Sequence, residues 1–284
     1  MNLKLEQNTI RLSGMISEHE RYSNLRLSII VPAYNEERRI KRTLEILTRA
    51  FSEDLPNQFE LVVIMDGCTD RTHEVVTKIA ENNEYVIPYC FHNRLGKGGA
   101  VINALRYARG EALLLIDADL PTSTYELRKL VALMRKYDLV FGSRYAKNSR
   151  ILIKEPLFRI LLSRGFNVLV KMLFWRLRGV RDTQCGVKVI KREALEKIKK
   201  DLFITDFAFD VNLIYATLRH GFRVKEVGIE WRHDETESKL SKEIFRASIK
   251  MLASIIRLRI YYSRLRQLLK TRFVKRIADF IYRF

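Results

Sequence analysis

Two carboxylates stand one residue apart at the end of an apolar run. Leu113 to Ile116 are all apolar, and Asp117 and Asp119 follow, separated by one alanine. In an extended chain, residues i and i+2 point the same way, so both carboxylates can face one ligand. Mg²⁺ and Mn²⁺ take oxygen ligands and are often held by one or two carboxylates together with substrate phosphates. The pair therefore predicts a metal–diphosphate site, although aspartates at strand ends are also common turn formers.

Short apolar runs recur along the first half of the chain, and segments of helical length separate them. This alternation is typical of βαβ units around a parallel sheet. Polar motifs follow the runs, and open α/β sheets bind ligands beyond the carboxyl ends of their strands. We therefore predict a Rossmann-like α/β fold, a mostly parallel sheet flanked by helices, with one site at that edge. The predicted strands are 27–31 (ended by Pro32), 59–65, 85–91, 113–116 and one within 138–144, with helices over 100–108 and 124–136.

The chain divides into three segments by composition. Residues 1–25 form an N-terminal extension, 26–240 form the α/β domain, and 241–284 form amphipathic helices rich in basic residues. The second half of the α/β domain is less regular than the first. Its predicted elements are a strand over 187–190, helices from Arg192 and over 207–218, and a strand over 224–231.

The C-terminal segment has a helical pattern from Glu243 onward, with an apolar stripe on one side and basic residues on another. A basic amphipathic helix suits an anionic membrane surface. Packing on the sheet with a solvated basic face explains 244–262 equally well. For 263–284, a membrane or a homo-oligomer contact would cover the apolar residues. The stripe consists of Phe245, Ile249, Leu252, Ile256 and Ile260.

The formal net charge is +19, from 52 Lys and Arg against 33 Asp and Glu. This excess suits nucleic acid, an anionic membrane surface or phosphorylated substrates. The three cysteines include no C-x-x-C pair, so we expect reduced thiols and no structural zinc. No apolar run reaches the roughly 18 residues of a membrane span, and residues 1–24 lack a signal-peptide core. We therefore expect a cytoplasmic protein, peripheral at the cytosolic face of a membrane.

Five motifs occur in an order that resembles the family 2 glycosyltransferases of GT-A fold. The similarity is to the polyprenyl-phosphate group, which includes the dolichyl-phosphate beta-glucosyltransferases and the dolichol-phosphate mannose synthases. Residues 182–188 and 207–211 are more similar to the glucosyltransferase branch. The resemblance covers roughly residues 27–260. The five motifs are 31–36, 66–70, 96–98, 117–119 and 142–144.

The resemblance implies a role for each motif. Asp117 and Asp119 would be catalytic together with Arg144, and Asp119 would be the ligand of Mg²⁺ or Mn²⁺. Arg144, Arg159 and Ser163 would bind the acceptor phosphate. Residues i and i+4 share a helix face, so the last two could reach one anion. The nucleotide-sugar residues would be Pro32, Ala33, Tyr34, Glu36, Asp66, Lys97, Asp117 and Ala118.

The reaction implied by the resemblance is an inverting transfer of a hexose to a polyprenyl phosphate such as dolichyl phosphate. UDP-glucose is the donor expected from the branch. Mannose synthases hold their metal partly with a glutamine at the position of Pro121, so this chain departs from that branch. Asp119 and diphosphate oxygens would then hold the metal alone. The acceptor has a second pKa of about 6 and needs no strong protein base.

Other functions remain open from the sequence. A family 2 enzyme acting on a saccharide or other hydroxyl would need a general base, for which Asp206 or Asp210 could serve. GDP-mannose is an alternative donor. A nucleic-acid-binding protein would explain the charge, but the chain lacks RRM, KH and helix-turn-helix signatures. We therefore expect no nucleic-acid partner. A non-catalytic membrane scaffold would not require the carboxylates.

Overall fold

β-Branched and aliphatic runs form the strands, because their side chains pack on both faces of a buried sheet. The computed structural model describes residues 9–11, 25–153, 156–233 and 241–270. In chain order the strands are β1 (Thr9–Arg11), β2 (Leu27–Ala33), β3 (Phe59–Asp66), β4 (Val86–Phe91), β5 (Ala112–Leu115), β6 (Leu139–Ser143), β7 (Arg150–Ile153), β8 (Lys188–Lys191), β9 (Val224–Gly228) and β10 (Glu230–Arg232).

Within the described residues, eight strands form one sheet in the order β1-β4-β3-β2-β5-β8-β6-β9. β2 pairs in parallel with both β3 and β5, which brings the carboxyl ends of these strands together. β8 runs antiparallel between β5 and β6, and β1 runs antiparallel to β4 at the edge. β7 and β10 form a separate parallel pair. The mostly parallel sheet confirms the predicted α/β class.

Helices cover both faces of the sheet. They are α1 (Ile40–Asp54), α2 (Thr72–Asn82), α3 (Lys97–Tyr107), α4 (Thr124–Ala132), α5 (Leu157–Leu173), α6 (Arg192–Ile198), α7 (Phe209–Arg219) and α8 (Ser241–Tyr261), with 3₁₀ segments at Leu133–Arg135, Trp175–Leu177, Lys199–Asp201 and Arg264–Lys270. Ile29 of β2 belongs to a buried cluster with residues of α1, α2 and α4, and Ile30 belongs to a second cluster with residues of α3 and α5–α8. Both isoleucines are fully buried, which explains why the strand sequence is apolar throughout.

Three element predictions are wrong in detail. Pro32 does not end its strand, since β2 continues to Ala33. Ile30 and Pro32 direct their backbone groups toward β5, which has already ended opposite Ile30, so the missing proline N–H is not needed. The helix predicted from residue 100 begins at Lys97. The strand predicted over 224–231 is divided between β9 and β10 in different sheets.

The helix predicted over 244–262 is α8. It packs on the core through Ile255 and Leu258, which are fully buried. Part of the predicted apolar stripe remains exposed: Ile249 (41%), Leu252 (41%) and Ile256 (48%). Residues 271–284 lie outside the described residues, so a membrane or oligomer contact there stays a prediction. Among the described helices, none combines the length and apolarity required to cross a membrane.

Candidate active site

The loop after β5 carries the two predicted carboxylates in a tight turn. The Leu120 N–H donates to the Asp117 carbonyl over 3.1 Å, and Leu120 adopts a φ of +46°, which is unfavourable for a bulky residue. The Thr43 hydroxyl donates to the Ala118 carbonyl over 2.7 Å and ties the turn to α1. The extended geometry expected from the sequence is therefore wrong, and Asp117 and Asp119 have different neighbours.

Asp117 faces a series of alternating charges. The Lys97 ammonium lies 2.7 Å from Asp117 Oδ1 and 3.6 Å from Asp210 Oδ2. The buried Lys188 ammonium lies 2.8 Å from Asp210 Oδ1 and also donates to the Cys185 carbonyl. Burial disfavours a charged lysine, but the two aspartates outweigh it and raise the pKa of Lys97 above its ordinary value. Lys97 is therefore charged at neutral pH and fixes the carboxylate of Asp117.

Glycines allow backbone to approach these charges. A Cβ at Gly186 would lie 1.9 Å from Asp117 Oδ2, and a Cβ at Gly98 would lie 2.4 Å from the Ile204 carbonyl oxygen. Gly96 adopts a φ of +80°, which glycine tolerates best. The glycine loop thus packs closely on the segment before α7. A contact of Lys97 with the nucleotide-sugar stays a prediction.

The loops after β2, β3 and β4 meet at the same edge of the sheet. Asp66 accepts the backbone N–H groups of Leu95 and Gly96 over 2.5 and 3.0 Å, and burial raises its pKa. The Arg94 guanidinium lies over the Tyr34 ring, 3.2 Å from its centroid. Each Asp66 oxygen accepts a backbone N–H group ahead of α3, so its contact with a nucleotide base stays a prediction.

The remaining predicted nucleotide-sugar residues lie around the end of β2. Pro32 and Ala33 are its last residues. The Glu36 carboxylate accepts from Arg39 Nε over 2.8 Å, and its backbone N–H donates to the Thr72 hydroxyl over 2.7 Å. The structure therefore gathers the eight predicted nucleotide-sugar residues at one edge of the sheet.

Arg144 is bound to Asp182 through three contacts. Its backbone N–H donates to Oδ2 over 3.0 Å, its Nε to Oδ2 over 2.8 Å and its Nη2 to Oδ1 over 3.1 Å. The side chains are 9% and 0% exposed. Burial opposes the charged carboxylate, but Arg144 outweighs it and keeps the pKa of Asp182 below its ordinary value. The pair joins the loop after β6 to the segment before β8, and a role of Arg144 on substrate phosphate stays a prediction.

Arg159 and Ser163 lie one turn apart on α5, as their spacing predicts, and both are partly buried. Arg159 Nη1 is 3.5 Å from His233 Nε2, just after β10. The Ser163 Oγ atom is buried and has no hydrogen-bond partner among the described residues. Buried hydroxyls are normally satisfied, so this atom is suited to a ligand.

A cavity of about 610 Å³ lies beside Asp119, between α1, the loop after β5 and the β7–β10 pair. None of the basic residues in this cavity was predicted from the sequence to belong to the site. The cluster of arginines just before α1 is the feature of the sequence that could have indicated them. Of the predicted nucleotide-sugar and metal residues, only Asp119 is among the described residues that line it. The basic and imidazole side chains in its wall are Arg38, Arg39, Arg42, Arg232 and His233.

The donor set around Asp119 fits a hard divalent cation that arrives with its substrate. Among the residues that the structure describes, no group of three or more His, Cys, Asp and Glu is placed to hold a metal. Mg²⁺ is commonly bound by one or two carboxylates, with substrate phosphates and water completing its shell. Asp119 can supply such a carboxylate, because it lines a cavity large enough for substrate oxygens.

Comparison with known proteins identifies the family. Residues 28–199 match the family model described as Glycosyl transferase family 2. The chain belongs to this family. Membership of this family agrees with the carboxylates and basic residues at the carboxyl edge of the sheet, which is where open α/β sheets bind ligands.

Relatives of this glycosyltransferase cover most of its length. It is 32% identical to the dolichyl-phosphate beta-glucosyltransferase of Dictyostelium discoideum, over 88% of this chain and 78% of the relative. The Saccharomyces cerevisiae enzyme of that name is 30% identical, over 87% and 78%. Glycosyltransferase AglD of Haloferax volcanii is 34% identical over 78% of this chain, which spans only 36% of that longer protein. The resemblance to the glucosyltransferase branch is thereby confirmed.

Solved structures share the fold. Glucosyl-3-phosphoglycerate synthase from Mycobacterium tuberculosis, in complex with Mn²⁺, UDP and glucosyl-3-phosphoglycerate, has a TM-score of 0.62 and 20% identity, over 84% of this chain and 81% of that chain. Its complex with phosphoglyceric acid has a TM-score of 0.63 and 21% identity, over the same shares. This likeness confirms the GT-A fold.

Proposed function

We propose that this glycosyltransferase transfers glucose from UDP-glucose to a polyprenyl phosphate such as dolichyl phosphate. Relatives in Dictyostelium discoideum and Saccharomyces cerevisiae are named dolichyl-phosphate beta-glucosyltransferases. One observation in this chain carries the proposal. A hydroxyl acceptor would require Asp206 or Asp210 as general base, and both carboxylates are bound to other groups of the protein.

Both aspartates are engaged with the protein. The carboxylate oxygens of Asp210 face Lys188 and Lys97 at 2.8 and 3.6 Å. Asp206 accepts the Ala208 N–H over 2.8 Å and the Ser254 hydroxyl over 2.5 Å. These bonds hold α3, α7 and α8 together, which is a packing role. An acceptor phosphate, already ionised with a second pKa of about 6, requires no base, so these contacts favour a phosphate acceptor over a hydroxyl acceptor.

In the proposed reaction, an acceptor phosphate oxygen attacks the anomeric carbon of the sugar. The new C–O bond forms as the C–O bond to UDP breaks, UDP leaves with the electron pair, and the anomeric centre inverts. No proton is transferred. Two anions must approach each other, so the rate depends on positioning and on offsetting their charge.

The donor is proposed to lie across the ends of β2, β3 and β5. The 32–36 loop and Asp66 would contact the nucleoside, and Lys97 would keep Asp117 directed toward the sugar-nucleotide. Asp119 would hold the cation. When bound, Mg²⁺ or Mn²⁺ offsets charge on the departing diphosphate.

The acceptor phosphate is proposed to contact Arg144, Arg159 and Ser163. The buried Ser163 hydroxyl, which has no hydrogen-bond partner among the described residues, supports this role. Asp182 accepts from Nε and Nη2 of Arg144 and thereby fixes the direction of its guanidinium. A fixed, charged guanidinium is suited to a phosphate, which it can bind through directed hydrogen bonds.

A lipid acceptor requires the enzyme at a membrane surface, and we propose peripheral binding at the cytosolic face. Helix α5 has an exposed apolar face, which is typical of contact with a partner or a membrane. The net charge of +19 suits a membrane of anionic lipid. The apolar side chains exposed on α5 are Leu157 (72%), Phe158 (55%), Leu161 (61%), Val168 (59%) and Met172 (74%).

A transfer assay tests the function directly. Radiolabelled UDP-glucose, GDP-mannose and UDP-N-acetylglucosamine are each incubated with dolichyl phosphate in detergent, with Mg²⁺ or Mn²⁺. We expect label to enter the organic phase from UDP-glucose. If label entered the organic phase from GDP-mannose alone, the donor would be GDP-mannose and not UDP-glucose. Label entering only a soluble glycan would establish the hydroxyl-acceptor alternative.

A further inference from the structure

The cavity beside Asp119 carries an excess of positive charge. Arg38, Arg42 and Arg232 line it, and in the described part of the chain no acidic side chain forms an ion pair with any of the three. The second acid of the wall, Glu230, is bound to an arginine outside the cavity at 3.0 Å. Cations without acidic partners in a concave site attract an anion.

We infer that this arginine cavity, named for Arg38, Arg42 and Arg232, receives the phosphate of the lipid acceptor. The inference rests on the proposed function and adds three acceptor-selecting residues outside the family motifs. The position of the cavity supports it. Asp119 forms one wall, whereas Asp66 and Lys97, expected on the donor side, are not among the described residues of the lining. A phosphate held here would face the donor from the other side of Asp119.

The apolar part of the cavity indicates a lipid phosphate. Leu152 and Ile153 line it beside the arginines, and after a short connection α5 begins with Leu157 and Phe158, which are 72% and 55% exposed. A phosphate in the arginine cavity could therefore place an attached hydrocarbon chain along this surface. A nucleoside diphosphate has no such chain. The lining thus favours the acceptor over the donor.

Arg159, one of the proposed acceptor residues of α5, adjoins the same cavity. Arg159 lies 3.5 Å from His233, and His233 is part of the wall. Guanidinium groups bind phosphate oxygens in bidentate pairs, which gives direction as well as charge. A phosphate placed among Arg38, Arg42, Arg232 and Arg159 would be neutralised before it meets the donor diphosphate.

Steady-state kinetics on the full chain tests the inference. The variants are Arg38→Ala with Arg42→Ala, Arg232→Ala, and Arg49→Ala as matched control, since Arg49 is exposed on α1 outside the cavity. We expect the cavity variants to raise the KM for dolichyl phosphate about tenfold or more, because charge-assisted hydrogen bonds are lost. The KM for UDP-glucose should stay within twofold. Arg42→Lys should recover part of the loss.

Calorimetric titration without donor separates the sources of phosphate, with farnesyl phosphate, farnesol and inorganic phosphate as probes. We expect farnesyl phosphate to bind more tightly than inorganic phosphate. In the cavity variants, the affinity for farnesyl phosphate and for inorganic phosphate should fall, whereas the affinity for farnesol should not change. A raised KM for UDP-glucose with an unchanged acceptor KM would assign the cavity to the donor and overturn the inference, as would equal effects of Arg49→Ala. If the wild type transfers nothing to dolichyl phosphate, the proposed function fails, while the titration still decides whether the cavity binds a lipid phosphate.

Discussion

Gly186 lies directly against the carboxylate of Asp117: a Cβ at position 186 would come within 1.9 Å of Oδ2. Gly186→Ala should therefore push the carboxylate away from the donor and from Lys97. We expect kcat to fall about 100-fold, because a shift of about 1 Å in a reacting group costs that much. Circular dichroism should remain that of the folded protein. Gly179→Ala is the control, since nothing lies within 4 Å of its Cβ position; equal kcat values for the two variants would contradict the prediction.

Lys97→Met should destabilise the protein. It removes the ammonium from Asp117, which is 30% exposed, while Asp210 keeps its ion pair with Lys188, and leaving a partly buried charge without its partner costs about 1–3 kcal/mol. Urea unfolding measures the change. The exposed pair of Lys41 with Glu45, at 3.9 Å, provides the control, since Lys41→Met should cost at most about 1 kcal/mol. A loss for Lys97→Met as small as that of the control would show that the buried charges do not depend on each other.

Asp119→Ala should lower transfer by more than about 100-fold, since a catalytic metal supplies several kcal/mol of charge stabilisation. The thermal unfolding midpoint should change little. Electron paramagnetic resonance of Mn²⁺ with UDP should show weaker metal binding in the variant. EDTA should abolish the wild-type activity and added Mn²⁺ should restore it. Full activity of Asp119→Ala would remove the proposed metal role.

Asp182→Asn should reveal the pH dependence of the Arg144 pair. The pKa of Asp182 lies below its ordinary value of 3.8 when folded, so the stabilisation is complete above about pH 4 and is lost as the pH falls through the folded-state pKa. At pH 7 the variant should be less stable by about 3 kcal/mol or more. That difference should narrow only in acid. A difference already gone at pH 5 would contradict the assignment, and Asp54→Asn, in an exposed pair with Arg128, is the control.

Acidic substitutions on α5 should weaken membrane binding. Leu161→Glu with Met172→Glu places two negative charges on side chains that are 61% and 74% exposed. We expect less protein to float with anionic liposomes, because each charge opposes both apolar burial and attraction to the lipid. Tyr125→Glu is the control: it places one such charge on a side chain that is 71% exposed on the other face of the sheet. Equal flotation of both proteins would reject the proposed surface.

The sequence predicted the sheet well because a strand buried on both faces requires a continuous apolar run, such as 59–65. It could not predict that β2 continues past Pro32, because this depends on where the neighbouring β5 ends. The division of 224–231 into β9 and β10 could not be predicted either, because it depends on their different partners, β6 and β7. Strand partners, and not local preference, decide these boundaries.

Motifs predicted candidate residues for the site, but they did not predict the partners of those residues. Arg144 and Asp182 are 38 positions apart, and the sequence marks both as charged without indicating that they bind each other. Lys97 likewise was predicted to bind the nucleotide-sugar, and nothing in the sequence indicated its ion pairs with Asp117 and Asp210. The arginines of the cavity lie outside every motif, so only the fold brings them beside Asp119.

The place of β8 in the sheet has a consequence for the order of synthesis. β5 and β6 are made first, yet β8 must insert between them. A nascent chain that has just passed β6 already contains Lys97, Asp117 and Asp119, while the edge of β5 is still open. The residues that β8 and α7 bring, Lys188 and Asp210, arrive later. A chain interrupted before then would carry both aspartates of the 117–119 motif, but Lys97 would lack the second aspartate, Asp210, that it contacts in the folded protein.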